Sequence, residues 1–177
     1  MIDGLDILVE TIVTGNLVLI HGLGLYALTR YTKSVESAVR AGTNTMVGML
    51  LGAAILWLFG DIVPISPTSM LGFYVGVGFV AALVAPRLTG YAEAREYHVV
   101  DTALIGLLLL MATLGVVGVD HLWYALGASV GYFTVLVAMA TIRQRLELAP
   151  VPKALQGIPI TLITAGLLGI ALLGFRL

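Results

Sequence analysis

Ionisable residues divide the chain into six long apolar intervals. Asp, Glu, Lys and Arg are absent between Glu10 and Arg30, Arg40 and Asp61, Asp61 and Arg87, Asp101 and Asp120, Asp120 and Arg143, and Lys153 and Arg176. By subtraction the intervals hold 19, 20, 25, 18, 22 and 22 residues. A helix needs about 20 apolar residues to cross roughly 30 Å of hydrocarbon. The pattern therefore predicts six transmembrane helices, at roughly 6–28, 39–60, 69–87, 100–119, 122–143 and 155–175. The links support these ends. "GDIVPISPTS" holds Pro64 and Pro67, and "RQRLELAPVPKALQG" follows an Arg-rich helix end with Pro150 and Pro152, a stop and a restart. "RLTGYAEAREY" is a short polar connection at the midpoint. No linker is long enough to separate domains, so residues 1–177 read as one membrane domain with halves of about 1–90 and 91–177.

Composition agrees. The chain is 59% hydrophobic and 11% charged, with a mean hydropathy of +1.04, whereas a soluble domain carries about a quarter of its residues as charges. The main solvent is lipid, and nothing points to nucleic acid. Asp3, Asp6 and Glu10 precede the first apolar run without a basic residue, the reverse of a signal peptide's start. If the helices alternate in direction, one side holds Arg30, Lys33, Arg40, Arg87, Arg95, Arg143, Arg145 and Lys153, and the other holds only Arg176. That asymmetry places both termini on the non-cytoplasmic side. Each half has an odd number of helices, so the halves have opposite orientations, which allows an inverted repeat.

Candidate chemistry is sparse. The sequence has no GxSxG, HExxH or phosphate-binding loop, and no cysteine for a disulfide or a thiolate ligand. No catalytic residue is evident. Gly48 and Gly52, Gly72 and Gly76, and Gly127 and Gly131 have the spacing that lets helices approach closely in lipid. They serve either packing within the bundle or docking of partner subunits. His98 and His121 fall at predicted membrane boundaries beside Asp101 and Asp120, and read as interfacial polar residues. Arg143, Arg145 and Glu147 anchor a helix end or seat a cytoplasmic partner. His21 lies inside an apolar span, where an ionisable group is a functional candidate, set against a neutral histidine bonded to a neighbouring helix. Asn16 and Asn44 offer interhelical hydrogen bonds or an ion path. Gly22 and Gly24 permit the helix to unwind, which lipid tolerates only where protein or a water-filled cavity covers the backbone.

These same stretches resemble a known family. "AMATIRQRLELAPVPKALQGIPITLITAGLLGIALLGF", Ala138 to Phe175, is similar to the C-terminal region of the six-helix membrane subunits of the Rnf and Nqr ion-translocating oxidoreductases, most closely the Rnf A and Nqr E types. "NLVLIHGLGL" and "TKSVESA" extend the likeness to the N-terminal half, with residues 55–100 the least matched. The resemblance implies an all-α integral membrane fold of two inverted three-helix repeats with outward termini. It implies a homologous six-helix partner of opposite topology, further redox subunits carrying flavin and iron–sulfur clusters, and a cluster held between broken helices 1 and 4 of the pair. Each member of that pair contributes two cysteines in the family. Here those positions fall on Tyr26 and Met111, which supply no thiolate, so this chain is expected to hold no cluster, cofactor or metal of its own. The expected function is a membrane subunit of an Rnf/Nqr-like ion-translocating electron-transport complex, forming the ion-conducting or structural core. Asn16, His21, Gly22, Gly24 and Asn44 are candidates for the ion path or the helix break. The competing class is a small inverted-repeat transporter or channel component unconnected to electron transfer.

Overall fold

The computed structural model describes residues 4–62, 66–90 and 101–174, and the described residues form helices and turns without a strand. Helix α1 (Gly4–Val9) runs into a π turn (Glu10–Thr14), and α2 (Leu25–Tyr31) follows after an irregular segment. Then come α3 (Val35–Leu58), a 3-10 turn (Gly60–Ile62), α4 (Pro67–Leu88), α5 (Thr102–Leu114) and α6 (Asp120–Glu147). A second 3-10 turn (Lys153–Leu155) leads into α7 (Ile158–Leu173). Among the described residues three helices are long and apolar enough to cross a membrane: Val35–Leu58, Thr68–Leu88 and Asp120–Glu147. Helices α5 and α7 are apolar but shorter. His98, Arg95, Pro64, Arg176 and most of the midpoint connection lie outside the described residues.

Local chemistry explains the ends. The Ser34 hydroxyl accepts from the Ser37 N–H at the start of α3, and the Asp101 carboxylate accepts from the Ala103 N–H at the start of α5. A proline occupies the first turn of both α4 and α7, where its missing N–H is not needed. Two spans differ from the sequence expectation. The helix expected over 6–28 is interrupted across 15–24. The helix expected over 100–119 stops at Leu114, because Gly115 (φ +65°) takes the left-handed conformation that closes a helix end. Gly118 (φ +60°) completes the turn, and α6 starts at Asp120 and continues past 143 to Glu147.

Helix α6 is the central column, with α1, α2, α3, α5 and α7 all packed on it. Close contacts give the helix directions. Gly4 lies against Trp123 and Gly127 against Thr11, so α1 runs parallel to α6. Gly42 meets Phe133 and Leu136, while Thr45 and Tyr132 meet through Asp101, so α3 runs opposite to α6. Gly48 and Gly52 receive Leu104 and Leu108, which makes α5 parallel to α3. Thr89 bonds Asn44 and Ala85 lies near Gly48, so α4 runs back along α3. Every buried side-chain polar atom among the described residues has a hydrogen-bond partner, as a site without water requires.

Candidate functional site

The irregular segment between the π turn and α2 is held by its own polar atoms. Asn16 is buried, and its Oδ1 accepts from the backbone N–H groups of Val18 and Leu19 at 3.1 and 3.2 Å. Its Nδ2 donates back to the Ile12 carbonyl at 3.0 Å, so one side chain closes the π turn and opens the next. Backbone bonds from Gly22 N–H to Val18 O and from Leu23 N–H to Leu17 O satisfy more of the segment. Gly22 (φ +68°) and Gly24 (φ +87°) take left-handed conformations that a β-carbon disfavours. A backbone freed from helical bonding is tolerated at membrane depth where protein covers it, and here glycines on neighbouring helices let that protein approach. A Cβ at Gly131 would stand 3.0 Å from Asn16 Nδ2, and one at Gly169 would stand 2.9 Å from the Leu19 carbonyl oxygen. One at Gly106 would stand 2.8 Å from Leu23.

A second polar group meets this segment at the same level. The Asp101 carboxylate accepts from Thr45 Oγ1 at 2.9 Å, from the Tyr132 hydroxyl and, through its other oxygen, from Ala103 N–H at 3.0 Å. Tyr132 is fully buried and Thr45 nearly so, while Asp101 is half-buried. Next to them Asn44 Oδ1 accepts from Thr89 Oγ1 at 3.1 Å. A cavity of about 20 Å³ opens between Tyr31, Asn44, Thr45 and Asp101, the size of a single water. Gly24 connects the two groups, since a Cβ on it would lie 3.0 Å from both Ala103 and Tyr132. At 1.5 Å per residue, Tyr132 lies about 18 Å along α6 from Asp120 and about 17 Å from Arg143. Tyr132 is therefore midway between Asp120 and Arg143 on the central helix, while Thr89 and Asp101 lie where α4 ends and α5 begins.

The structure gathers some sequence candidates here and disperses others. Asn16, Gly22 and Gly24 belong to the interrupted segment, and Asn44 lies on the cavity beside Asp101. His21 is exposed on the outer side of the segment, as is Tyr26 in the first turn of α2. Met111 is fully buried near the far end of α5, about 12 Å along that helix from Ala103. His121, the second residue of α6, is buried within the protein: its Nδ1 donates to the Gly118 carbonyl at 3.0 Å, and its Nε2 faces the Tyr74 hydroxyl at 3.2 Å. A carbonyl can only accept, so Nδ1 carries the proton and Nε2 accepts from tyrosine in the neutral ring. Arg143 donates to the Thr29 carbonyl and the Thr32 hydroxyl, both at 3.0 Å, tying α6 to the end of α2. Asp101, Thr45 and Tyr132 were not singled out from the sequence. Their signal is faint: an Asp-Thr-Ala capping sequence set between apolar runs, and a threonine beside Asn44.

The donor set does not suit an iron–sulfur cluster. Tyr26 and Met111 offer no thiolate, and among the described residues no group of three His, Cys, Asp or Glu side chains could hold a metal ion.

An all-helical bundle with three membrane-length apolar helices and an interrupted helix lodged at its middle defines a class of membrane protein, and comparison with known proteins narrows it. The family described as "Rnf-Nqr subunit, membrane protein" matches residues 98–177. Over 189 residues the chain is 34% identical to the A subunit of the ion-translocating oxidoreductase complex of Azoarcus sp., covering 99% of this chain and 97% of that one. It is 33% identical over 183 residues to the A subunit of the Na(+)-translocating ferredoxin:NAD(+) oxidoreductase complex of Acetobacterium woodii, covering 96% and 94%. The corresponding protein of Tolumonas auensis is 32% identical over 189 residues. The chain belongs to the Rnf-Nqr family of membrane subunits.

Proposed function

We propose that this chain is the A-type integral membrane subunit of an Rnf/Nqr-like ion-translocating electron-transport complex. It crosses a prokaryotic plasma membrane six times as two inverted three-helix repeats, with both termini outside, beside a homologous six-helix partner of opposite topology. The observation that carries the reading is similarity along nearly the whole chain to the A subunits of such complexes. The interrupted helix at mid-depth supports an ion-conducting role, since polar backbone is otherwise excluded from that level. In this reading Asn16, His21, Gly22, Gly24 and Asn44 line or shape the ion path. His21 and Tyr26, exposed on this chain alone, face the partner. The chain carries no iron–sulfur cluster of its own, and redox cofactors reside in other subunits.

Affinity purification from native membranes tests this. Co-isolation with flavin- or iron–sulfur-containing subunits is expected, and a homodimer free of redox subunits would refute the assignment. On the same preparation, iron analysis with EPR is expected to find no cluster between α2 and α5. Stoichiometric iron assigned there would refute the cluster-free reading while leaving membership of the complex intact.

A further inference from the structure

A cavity of about 210 Å³ lies between the end of α6 and the start of α7, apart from the Asp101 junction. Arg143, Glu147, Ala149, Gln156 and Ile160 are on its wall. The connection around it is held by its own bonds. The N–H groups of Leu148 and Ala149 close the end of α6 on the carbonyls of Arg145 and Leu146, and Val151 N–H turns back to Ala149. Gln156 Nε2 donates across the loop to the Val151 carbonyl at 2.9 Å, and Pro150 and Pro152 fix two of its φ angles. At roughly 30 Å³ for each water the space holds about seven, which is the volume of a small polar headgroup rather than of one ion.

Two opposite charges line this space. Arg143 and Glu147 stand one turn apart on α6, the spacing of an ion pair, yet among the described residues the single salt bridge is Arg40 with Glu36. Arg143 spends Nη1 on Thr29 and Thr32, and its other nitrogens keep their N–H groups without a partner among the described residues. The Ile160 N–H, in the first turn of α7, likewise has no backbone acceptor there. These donors suit a phosphate, whereas the Glu147 carboxylate suits an ammonium that can donate to it. Apolar surface adjoins the charged wall. Leu148 is 89% exposed, and Ile158, Leu162 and Ile163 on α7 are exposed beside the lining residues. A water-soluble ligand has no use for that surface, and a lipid tail does.

We propose that this cavity binds the headgroup of a zwitterionic aminophospholipid of the phosphatidylethanolamine class. Arg143 and the Ile160 N–H hold the phosphate, Glu147 accepts from the primary ammonium, and the acyl chains follow the exposed side of α7. The charge pair selects the class. An anionic headgroup sets a net negative ligand against Glu147, and a quaternary ammonium has no N–H to give it. The site takes only its membrane location from the membrane-subunit reading. Binding is measured without electron transfer, so its failure would leave membership of the complex standing.

The test uses the full chain in detergent with whatever subunits accompany it, washed free of native lipid. Its thermal transition is followed while short-chain phosphatidylethanolamine, phosphatidylglycerol, phosphatidylcholine or inorganic phosphate is added. The expected result is a saturable stabilisation by phosphatidylethanolamine, with an apparent affinity at least about tenfold above that for the other two lipids, as one charge-assisted hydrogen bond provides. Glu147→Gln is expected to remove that preference, and Ala149→Trp, which fills the cavity and keeps both charges, to abolish the response. No stabilisation by phosphatidylethanolamine, equal responses to the three lipids, or a preference that survives in Glu147→Gln overturns the proposal. An unchanged response in Ala149→Trp puts the lipid elsewhere and overturns the site. Inorganic phosphate acting as strongly as the lipid marks a free-anion site and overturns the lipid assignment. Should Ala149→Trp fail to fold, Glu147→Gln decides alone, since Glu147 is exposed and its side chain bonds no other described residue.

Discussion

Asn16 shows how one side chain can hold an irregular segment inside lipid. It accepts from two backbone N–H groups and donates to a carbonyl, all within a buried site. Replacing it with Leu leaves those groups unpaired, and each buried unpaired group costs about 1–3 kcal/mol. Asn16→Leu is therefore expected to lower the stability of the detergent-solubilised protein by at least about 2 kcal/mol, read as an earlier thermal transition. An unchanged transition would mean that water or lipid headgroups satisfy the segment instead. Asn16, Gly22 and Gly24 stand out in the sequence because they interrupt an apolar run. Their division of labour does not, since only the folded backbone shows which donors Asn16 reaches.

At the scale of elements, glycine pairs with the same spacing have different roles. Gly48 and Gly52 on α3 take the side chains of Leu104 and Leu108, and Gly127 and Gly131 on α6 take Thr11, Ile12 and Asn16. Gly72 and Gly76 on α4 have nothing within 4 Å of where a Cβ would stand. Gly48→Ala is expected to destabilise the chain by about 1–3 kcal/mol through overpacking against Leu104. Gly72→Ala and Gly76→Ala are expected to leave its stability unchanged or raise it by about 0.5–1 kcal/mol, as alanine does in an exposed helix interior. Thermal unfolding of the three variants side by side checks this, and equal losses at all three would contradict the packing described. The sequence left packing and docking open for every pair, because spacing along one helix carries no information about what lies opposite.

At the scale of the whole molecule, direction and side follow from separate arguments. Contacts between helices show α1, α4 and α6 running one way and α3 and α5 the other. Which end faces the cytoplasm rests on the eight basic residues gathered at one side. The chain has no cysteine, so single cysteines can be introduced without a background. Lys33→Cys and Lys153→Cys are expected to react with an impermeant maleimide only in inside-out vesicles, and Leu5→Cys only in intact cells. Labelling with the reverse sidedness would invert the topology.

By itself the sequence determined the solvent, the helical class and the family. Each of these is written locally: charges recur at intervals that a bilayer imposes, and a backbone in lipid must satisfy itself within the helix. Tertiary structure alone decided which polar groups meet. Asp101 looks like a boundary charge in the sequence, and the fold brings it to Thr45, 56 residues away, and to Tyr132, 31 residues away. Met111 and Tyr26, paired by resemblance, are respectively buried and exposed. Such meetings depend on the rotation and depth of each helix, set by packing against its neighbours rather than by any periodicity along the chain.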